Sequence, residues 1–357
     1  MKTLFVGGSF DEKGGKYSSL ADKIYSSTGI QADYYNGGNY DHLLKLAEEV
    51  GKYDIVFWLA KIPEDKPRIS ATLKEKGAFI FVSSKRNLDE KLTTFDMIYD
   101  ALKIKSNLVL EFKKKEEKYV ARVIDPLGNV FIDWEKNFEL VGKVLGKRAR
   151  ELTGYTRVIS ESIGEKVDSL VNEEFLETIK GHAESFSKFT YDNPEAINRH
   201  MGNASFRCTN GFPSFRREGL IYVSRRNVDK RGIDKDSFVA VNENSETLKY
   251  HGVKKPSVDT PIQLKLYQNY KNINYMLHSH CYIENAPFTS RIIPCGALEE
   301  VDEIKKIITG ENSRFFAVNL LGHGSLVASE NISRMKDLPY FDRHLPEVHK
   351  NYLEDLI

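Results

Sequence analysis

Three histidines in two apolar segments are the residues of this chain that could do chemistry together. His278 and His280 lie in Tyr275–His280 (YMLHSH), an apolar segment that predicts a β-strand. Because side chains two apart on a strand share a face, both imidazoles project to the same side. His323 follows a second apolar run, Phe315–Leu321, and can supply a third nitrogen. Three protein ligands with an open fourth position are the pattern of catalytic zinc, so this spacing indicates a metal site.

A His-x-His pair alone is a weak motif, since an ordinary pair of strand histidines has the same pattern. The neighbouring segments make it specific: in chain order they are Gly202–Arg207 (GNASFR), Lys255–Pro261 (KPSVDTP), the helix-like Ile262–Tyr267 and the two histidine segments. In this order and spacing they resemble the class II aldolase/adducin family, over roughly residues 173–328. That family contains zinc-dependent sugar-phosphate aldolases, L-ribulose-phosphate 4-epimerases, methylthioribulose-phosphate dehydratases and non-catalytic adducin heads.

The resemblance implies a role for each polar residue of the motif. His278, His280 and His323 would hold zinc (Zn2+) or another divalent metal, which stabilises the charge of an enediolate formed from a hydroxy-carbonyl substrate. Asp259 would be the catalytic carboxylate that moves the proton, at a position where the aldolases carry Glu and the epimerases carry Asp. The alternative for Asp259 is a helix-start residue favoured by the helix dipole.

The phosphate pocket that the resemblance implies is altered in this chain. Asn203 and Ser257 match the family pattern, but the second serine is Val258 and the Ser-Gly turn reads Ser224–Asn227 (SRRN). Two donors are lost and two guanidinium groups are gained, and arginine binds phosphate or carboxylate well. The arginines could instead be solvated surface charges. The predicted substrate-binding residues are Asn203, Ser224, Arg225, Arg226 and Ser257.

The prediction is therefore a zinc-dependent aldolase-type lyase acting on a small sugar phosphate or related anion. A sugar-phosphate epimerase or dehydratase of the same family, or an adducin-like binding module without turnover, is the alternative. Glu284 is the only acid between His280 and Pro294, which weakens the epimerase interpretation. Because family enzymes form four-fold rings, we expect a homo-oligomer, with a tetramer favoured.

Composition limits the remaining functions. The chain has 357 residues, 52 Lys plus Arg against 51 Asp plus Glu, and 41% hydrophobic residues. The balanced charge gives no reason to expect nucleic acid or an anionic membrane as partner. No apolar run approaches the roughly 20 residues of a membrane helix, and the N-terminus lacks a signal-peptide pattern. Three cysteines argue against a disulfide framework, so we expect a cytoplasmic protein.

Two domains are predicted, at residues 1–160 and 161–357. The first alternates strands and helices, which predicts an α/β, doubly wound parallel sheet of Rossmann-like type, with a β-hairpin near residues 119–134. The second is predicted to be α+β, and the resemblance implies a central antiparallel sheet covered by helices. The stretch 156–172, within which the predicted boundary falls, is helix-compatible, and one helix is predicted over Glu173–Phe189.

The glycine-rich stretch Gly7–Lys16 follows the first predicted strand, Thr3–Val6. It matches neither the dinucleotide fingerprint nor the P-loop, in which Ser or Thr would follow the lysine. Two interpretations stay open: a tight strand-to-helix turn, or a site for a small anion at a helix N-terminus.

Overall fold

The computed structural model describes residues 1–66, 73, 77, 79–88, 91–186, 200–207, 219–243 and 247–341. These residues fall into two compact units, one ending at Gly154 and the other beginning at Tyr155. The domain boundary at residue 160 stays a prediction, because compactness alone does not show where an independently folding domain ends. No helix within the described ranges is long and apolar enough to cross a bilayer.

A seven-stranded sheet forms the core of the N-terminal unit, in the order β2-β1-β3-β4-β5-β6-β7. Its strands are β1 (Thr3–Asp11), β2 (Asp33–Asn39), β3 (Ile55–Trp58), β4 (Ile80–Arg86), β5 (Leu108–Lys115), β6 (Lys118–Ile124) and β7 (Val130–Glu135). The helices are α1 (Ser19–Ser27), α2 (Tyr40–Glu49), α3 (Thr94–Lys103) and α4 (Phe138–Thr153). The first five strands are parallel and the last two are antiparallel, which confirms the predicted parallel sheet and hairpin.

The local sequence explains these elements. All four residues of β3 are buried, as expected for a strand covered on both faces. A side-chain oxygen caps the N-terminus of each helix by accepting a backbone N–H bond, and the capping residues are Ser18, Asn39, Thr93 and Asn137. The hairpin turn is held by Asp125, whose carboxylate accepts from the backbone N–H groups of Leu127 and Asn129.

One predicted strand end in this unit is wrong, and one strand was not predicted. The first strand does not end at Gly7–Gly8: β1 continues to Asp11, because the ladder resumes at Phe10, which is fully buried and paired with Gly38. The local pattern also misses strand β5, because its carboxyl end runs into a stretch of charged residues. It pairs with β4 on one side and β6 on the other, so pairing rather than local pattern makes it a strand.

An eight-stranded sheet forms the C-terminal unit, in the order β15-β16-β13-β9-β10-β11-β12-β8. Its strands are β8 (Ser160–Ile163), β9 (Asn203–Arg207), β10 (Leu220–Ser224), β11 (Phe238–Asn242), β12 (Leu248–His251), β13 (Tyr275–Ser279), β15 (Phe315–Leu320) and β16 (Gly324–Ser329). A separate pair is β14 (Tyr282–Ile283) with β17 (Tyr340–Phe341). The helices are α5 (Glu173–Gly181), α6 (Ala183–Phe186), α7 (Thr260–Asn269) and α8 (Glu299–Ile307).

This sheet is buried on both faces. Successive residues of β10 enter different apolar clusters: Ile221 and Val223 pack with α7 and α8, whereas Leu220 and Tyr222 pack with α5. Among the described strands, all neighbours are antiparallel except β12 and β8. The predicted α+β unit with a central antiparallel sheet is therefore confirmed.

The start of this unit departs from the prediction. The helix-compatible stretch 156–172 contains the strand β8, which pairs with β12, so a distant partner overrides the local pattern. The single helix predicted over Glu173–Phe189 is divided at His182, and its last three residues lie outside the described part of the chain. Helix α7 begins at Thr260 and has Asp259 as its N-cap.

Candidate metal centre and active site

The structure brings the three predicted histidines into one cluster. His278 lies in β13, His280 follows its last residue, and His323 lies in the turn between β15 and β16. The ring centroids of His278 and His323 are 4.6 Å apart, and that of His280 is 5.2 Å from each. One ligand nitrogen of each ring lies within 4.8 Å of the others. Three imidazoles at this spacing can bind one metal ion.

Two glycines allow the backbone to close around the cluster. Gly324 has φ +152°, and a Cβ there would lie 1.9 Å from the carbonyl oxygen of Ser279. Gly202 has φ +66°, and a Cβ there would lie 2.6 Å from the carbonyl oxygen of His278. Only glycine fits such positions without displacing the backbone of β13. The turn that carries His323 can therefore reach the His278 side chain.

His278 presents a bare nitrogen to the cluster. Its Nδ1 lies 3.0 Å from the carbonyl oxygen of Ser325, which can only accept, so Nδ1 carries the proton. Nε2 is buried and has no hydrogen-bond partner among the described residues. Burial, with the neighbouring His323, lowers the pKa of His278 to about 4, so the ring is neutral at pH 7. A buried nitrogen without a partner is costly, and a metal ion would satisfy it.

The surroundings of His323 favour positive charge. Its Nδ1 lies 3.1 Å from the Glu300 carboxylate, and its Nε2 lies 3.1 Å from the Cys295 sulfur. Burial alone would lower the pKa of His323, but Cys295 and Glu300 together raise it well above its usual value. Burial also raises the pKa of Glu300, whose side chain is 1% exposed. A proton or a metal ion at Nε2 is therefore stabilised by the carboxylate behind the ring.

Asp259 directs its carboxylate at the histidines. Its Oδ2 lies 3.7 Å from His278 Nε2 and 3.3 Å from Asn203 Nδ2, and its Oδ1 is buried without a partner among the described residues. Asp259 is the N-cap of α7, yet its side chain makes no capping hydrogen bond. The position is that of a helix-start residue, but the carboxylate itself faces the cluster.

Some of the predicted substrate-binding residues join this cluster. Asn203 donates to Ser257 Oγ at 3.1 Å and accepts from Gln263 Nε2. Ser224 uses its hydroxyl to accept from the backbone N–H of Ala204, and its carbonyl accepts from the backbone N–H of Ser257. These bonds tie the ends of β9 and β10 to the loop that carries Asp259.

The two arginines lie beside the same loop. Arg226 is exposed, and its Nε donates to the Pro256 carbonyl at 3.0 Å. Arg225 is partly buried and forms an isolated β-bridge with Pro256. Both arginines therefore contact Pro256, the residue that precedes Ser257. Glu284, the other candidate acid, is exposed, whereas Cys281 is buried, as a core residue would be.

Four residues of the cluster were not found by sequence reasoning: Glu300, Cys295, Gln263 and Lys230. Lys230 is fully buried, and its Nζ donates to the carbonyls of Met201 at 2.9 Å and Gly202 at 2.8 Å, which fixes the backbone before Asn203. Burial lowers the pKa of Lys230 to about 7. Glu300 alone had a usable signal, because it shares the apolar face of α8 with Val301 and Ile304.

The donor set suits a divalent metal of the zinc type. A second group of potential ligands, Asp259, Cys295 and His323, also has its ligand atoms within 4.8 Å of one another. Imidazole nitrogen, carboxylate oxygen and cysteine sulfur are the donors that zinc binds in proteins. The buried His278 Nε2 and the carboxylate behind His323 both fit a cation at the centre of the cluster.

Comparison with known proteins gives one sequence match. The family described as "Class II Aldolase and Adducin N-terminal domain" matches residues 194–286, which include Asn203, Ser257, Asp259, His278 and His280. No curated protein sequence matches the chain.

Similar solved structures are distant. An L-fuculose 1-phosphate aldolase is 19% identical over 53% of this chain and 83% of its own, with a TM-score of 0.30. The L-fuculose-1-phosphate aldolase from Thermus thermophilus is 11% identical over 44% and 82%, with a TM-score of 0.29. A DNA/pantothenate metabolism flavoprotein from Streptococcus pneumoniae is 12% identical over 42% and 99%, with a TM-score of 0.33. TM-scores this low do not carry the chemistry of those proteins over to this chain.

The sequence match covers the segments of Asn203, Asp259, His278 and His280, and it ends before the segment of His323. Its range lies within the resemblance predicted over roughly residues 173–328. The C-terminal half of this chain thus resembles the class II aldolase and adducin family.

Proposed function

We propose that the C-terminal unit is a metal-dependent, aldolase-type lyase acting on a small hydroxy-carbonyl compound, and that zinc is its metal. The observation that carries this proposal is the buried Nε2 of His278, which has no hydrogen-bond partner among the described residues and faces the Asp259 carboxylate at 3.7 Å within a group of three imidazoles. An adducin-like module without turnover has no need of this arrangement. An epimerase needs a second catalytic acid, and Glu284 is exposed.

His278, His280 and His323 would hold the metal. When bound, a divalent ion supplies a Lewis acid that stabilises negative charge on substrate oxygens. Glu300 holds the proton of His323 Nδ1, and the Ser325 carbonyl accepts the proton of His278 Nδ1, so both rings keep Nε2 directed at the centre. The neutral state of His278 leaves that nitrogen available as a ligand.

Asp259 would move the proton. Asn203 donates to one carboxylate oxygen and orients it, which leaves Oδ1 available to take a proton from the substrate and to return it. The residue is 8% exposed, so bulk water has little access to the transferred proton. An aldolase-type cleavage and the enediolate that it produces need one such group beside the metal.

The substrate is proposed to be a sugar phosphate or a related anion. Asn203 and Ser257 lie beside Asp259, and the arginines of the Ser224–Asn227 turn flank the same loop. Arginine and hydroxyl donors at one end of a metal site suit a phosphate or carboxylate group. Phosphorylated ketoses, which carry both a phosphate and a hydroxy-carbonyl group, are therefore the first compounds to test.

The metal assignment predicts the metal content of purified protein. We expect about one zinc or other divalent ion per chain, and His278→Ala, His280→Ala and His323→Ala should each lose most of it, because three ligands are the minimum for such a site. Inductively coupled plasma mass spectrometry gives the measurement. His251→Ala is the control, since His251 bonds Asn242 away from the cluster. Stoichiometric metal in all three variants would refute the site.

The proton-transfer role predicts the effect of Asp259→Asn. This change keeps the shape and removes the base, so we expect kcat for ketose-phosphate cleavage to fall by about 10² to 10⁴ while the circular dichroism spectrum is unchanged. Glu284→Gln is the matched control and should retain activity. Wild-type kcat in Asp259→Asn, with loss of activity in Glu284→Gln, would transfer the role to Glu284.

The anion pocket predicts a change in KM. Arg226→Ala should raise KM by about ten-fold or more, equivalent to about 1.4 kcal/mol, with a smaller effect on kcat, because the group binds ground and transition states alike. Arg225→Ala and the double variant identify which arginine acts. Arg231→Ala is the control, since Arg231 pairs with Asp229 on the surface. An unchanged KM in the double variant would remove the arginines from the pocket.

The assembly is proposed to be a homo-oligomer, with a tetramer favoured. The C-terminal unit exposes two apolar side chains almost completely, Ile159 (88%) and Val253 (92%), and a third, Val258, next to Asp259 (45%). Single exposed apolar side chains are common on monomers, so these three only offer positions that an oligomer interface would cover. Multi-angle light scattering at micromolar concentration should give more than one chain per particle, and a monomer alone would contradict the proposal.

A further inference from the structure

A cavity of about 470 Å³ lies in the N-terminal unit. All of its lining residues lie between Gly8 and Tyr119, so none belongs to the histidine site. The cavity is lined by the ends of parallel strands: Gly8 and Ser9 from β1, Lys61 shortly after β3, and Arg86 at the end of β4. Its size is that of a small-molecule site. The strand order β2-β1-β3-β4 reverses direction at β1, and open parallel sheets bind ligands beyond their carboxyl ends at such a point.

The charged side chains that line this cavity among the described residues are all positive. They are Lys16, Lys61 and Arg86, and no acidic residue of the described ranges joins them. Lys16 and Lys61 form no ion pair with a described residue. By contrast, Lys66 pairs with Glu12 and Lys85 pairs with Asp100. Three like charges around one opening repel each other, and an anion would relieve this repulsion.

The backbone holds these cations in place. Ser9 and Lys16 exchange two backbone hydrogen bonds, of 2.8 and 3.2 Å, and Lys16 N–H also donates to Ser9 Oγ at 2.7 Å. Lys61 N–H donates to the Gly8 carbonyl at 2.8 Å, and Arg86 Nη2 donates to the Leu59 carbonyl at 3.3 Å. Each of the three cationic residues is therefore hydrogen-bonded to a neighbouring segment at the edge of the sheet.

An apolar wall completes the cavity. Among the described residues, eight large apolar side chains are exposed, and three of them line this one opening: Tyr17 (62% exposed), Leu88 (40%) and Tyr119 (44%). The cavity thus combines two exposed aromatic rings with three positive charges. The same combination suits a ligand that has a phosphate and a flat ring, because nucleobases stack on tyrosine rings.

We propose that this cavity binds a nucleotide, with its phosphates against Lys16, Lys61 and Arg86 and its base against Tyr17 or Tyr119. The first turn of α1, with Ser18 and Ser19 in the lining, adds backbone dipoles that favour the phosphate. Of the two interpretations of the glycine-rich stretch, anion binding is therefore favoured. This site is independent of the proposed lyase activity.

The test is isothermal titration calorimetry on the full chain. The probes are ADP, GDP, CDP and UDP, each compared with its nucleoside and with ribose 5-phosphate. We expect at least one diphosphate to bind with about one site per chain and a Kd below about 1 mM. Its nucleoside and ribose 5-phosphate should each bind about ten-fold more weakly or worse, because each lacks one half of the interaction. No binding by any diphosphate, or equal binding by ribose 5-phosphate, would overturn the proposal.

Variants locate the site. Lys61→Ala and Arg86→Ala should each raise the Kd of the diphosphate by about ten-fold or more, and so should Tyr17→Ala or Tyr119→Ala. Lys45→Ala is the control, because Lys45 is an exposed lysine on α2 that does not line the cavity. All five variants should keep the metal content of the wild type. An unchanged Kd in both cation variants would place the ligand elsewhere and refute this assignment.

Discussion

Two buried carboxylates, Asp259 and Glu300, lie beside the candidate histidines, and balancing their charge is the constraint on which the candidate site depends. Burying an ionised carboxylate without a partner is costly. Glu300 has His323 at 3.1 Å, and Asp259 has Asn203 at 3.3 Å and His278 at 3.7 Å. The neutral His278 offers Asp259 no compensating charge. A cation among the three imidazoles would balance both carboxylates and would also satisfy the His278 nitrogen.

The register of the sheet places His278 and Asn203 side by side on neighbouring strands, which makes this cluster possible. His278 of β13 stands opposite Asn203 of β9 on one side and Leu326 of β16 on the other. Because the register of an antiparallel sheet is set over its whole length, a shift of one residue would turn the imidazole to the other face. The carbonyl of Ser325, the residue before Leu326, then reaches His278 Nδ1. The site therefore depends on strand register as much as on residue identity.

The sequence predicts the elements that have a local hydrophobic or capping pattern. It does not predict the elements that depend on pairing with a distant strand. Buried strands such as Ile55–Trp58 and capped helices carry their pattern locally, so the parallel sheet and the hairpin could be predicted. The central antiparallel sheet of the second unit was expected only from the family resemblance. Strand β8 could not, because β12, almost ninety residues later, makes it a strand. The histidines and Asp259 stand in motifs, whereas Cys295, Gln263 and Lys230 acquire their positions only when separate segments pack together.

Net charge is another property of the sequence that does not reveal how residues are arranged in space. With 52 basic and 51 acidic residues, the chain as a whole shows no preference for an anionic partner. The average conceals two opposite arrangements: buried carboxylates beside histidines in one unit, and two lysines with an arginine around a cavity in the other. Electrostatic attraction between charges falls with distance and is screened beyond about 10 Å at moderate salt. Local arrangement, and not the total charge, is therefore the basis on which a cation is proposed for the one unit and an anion for the other.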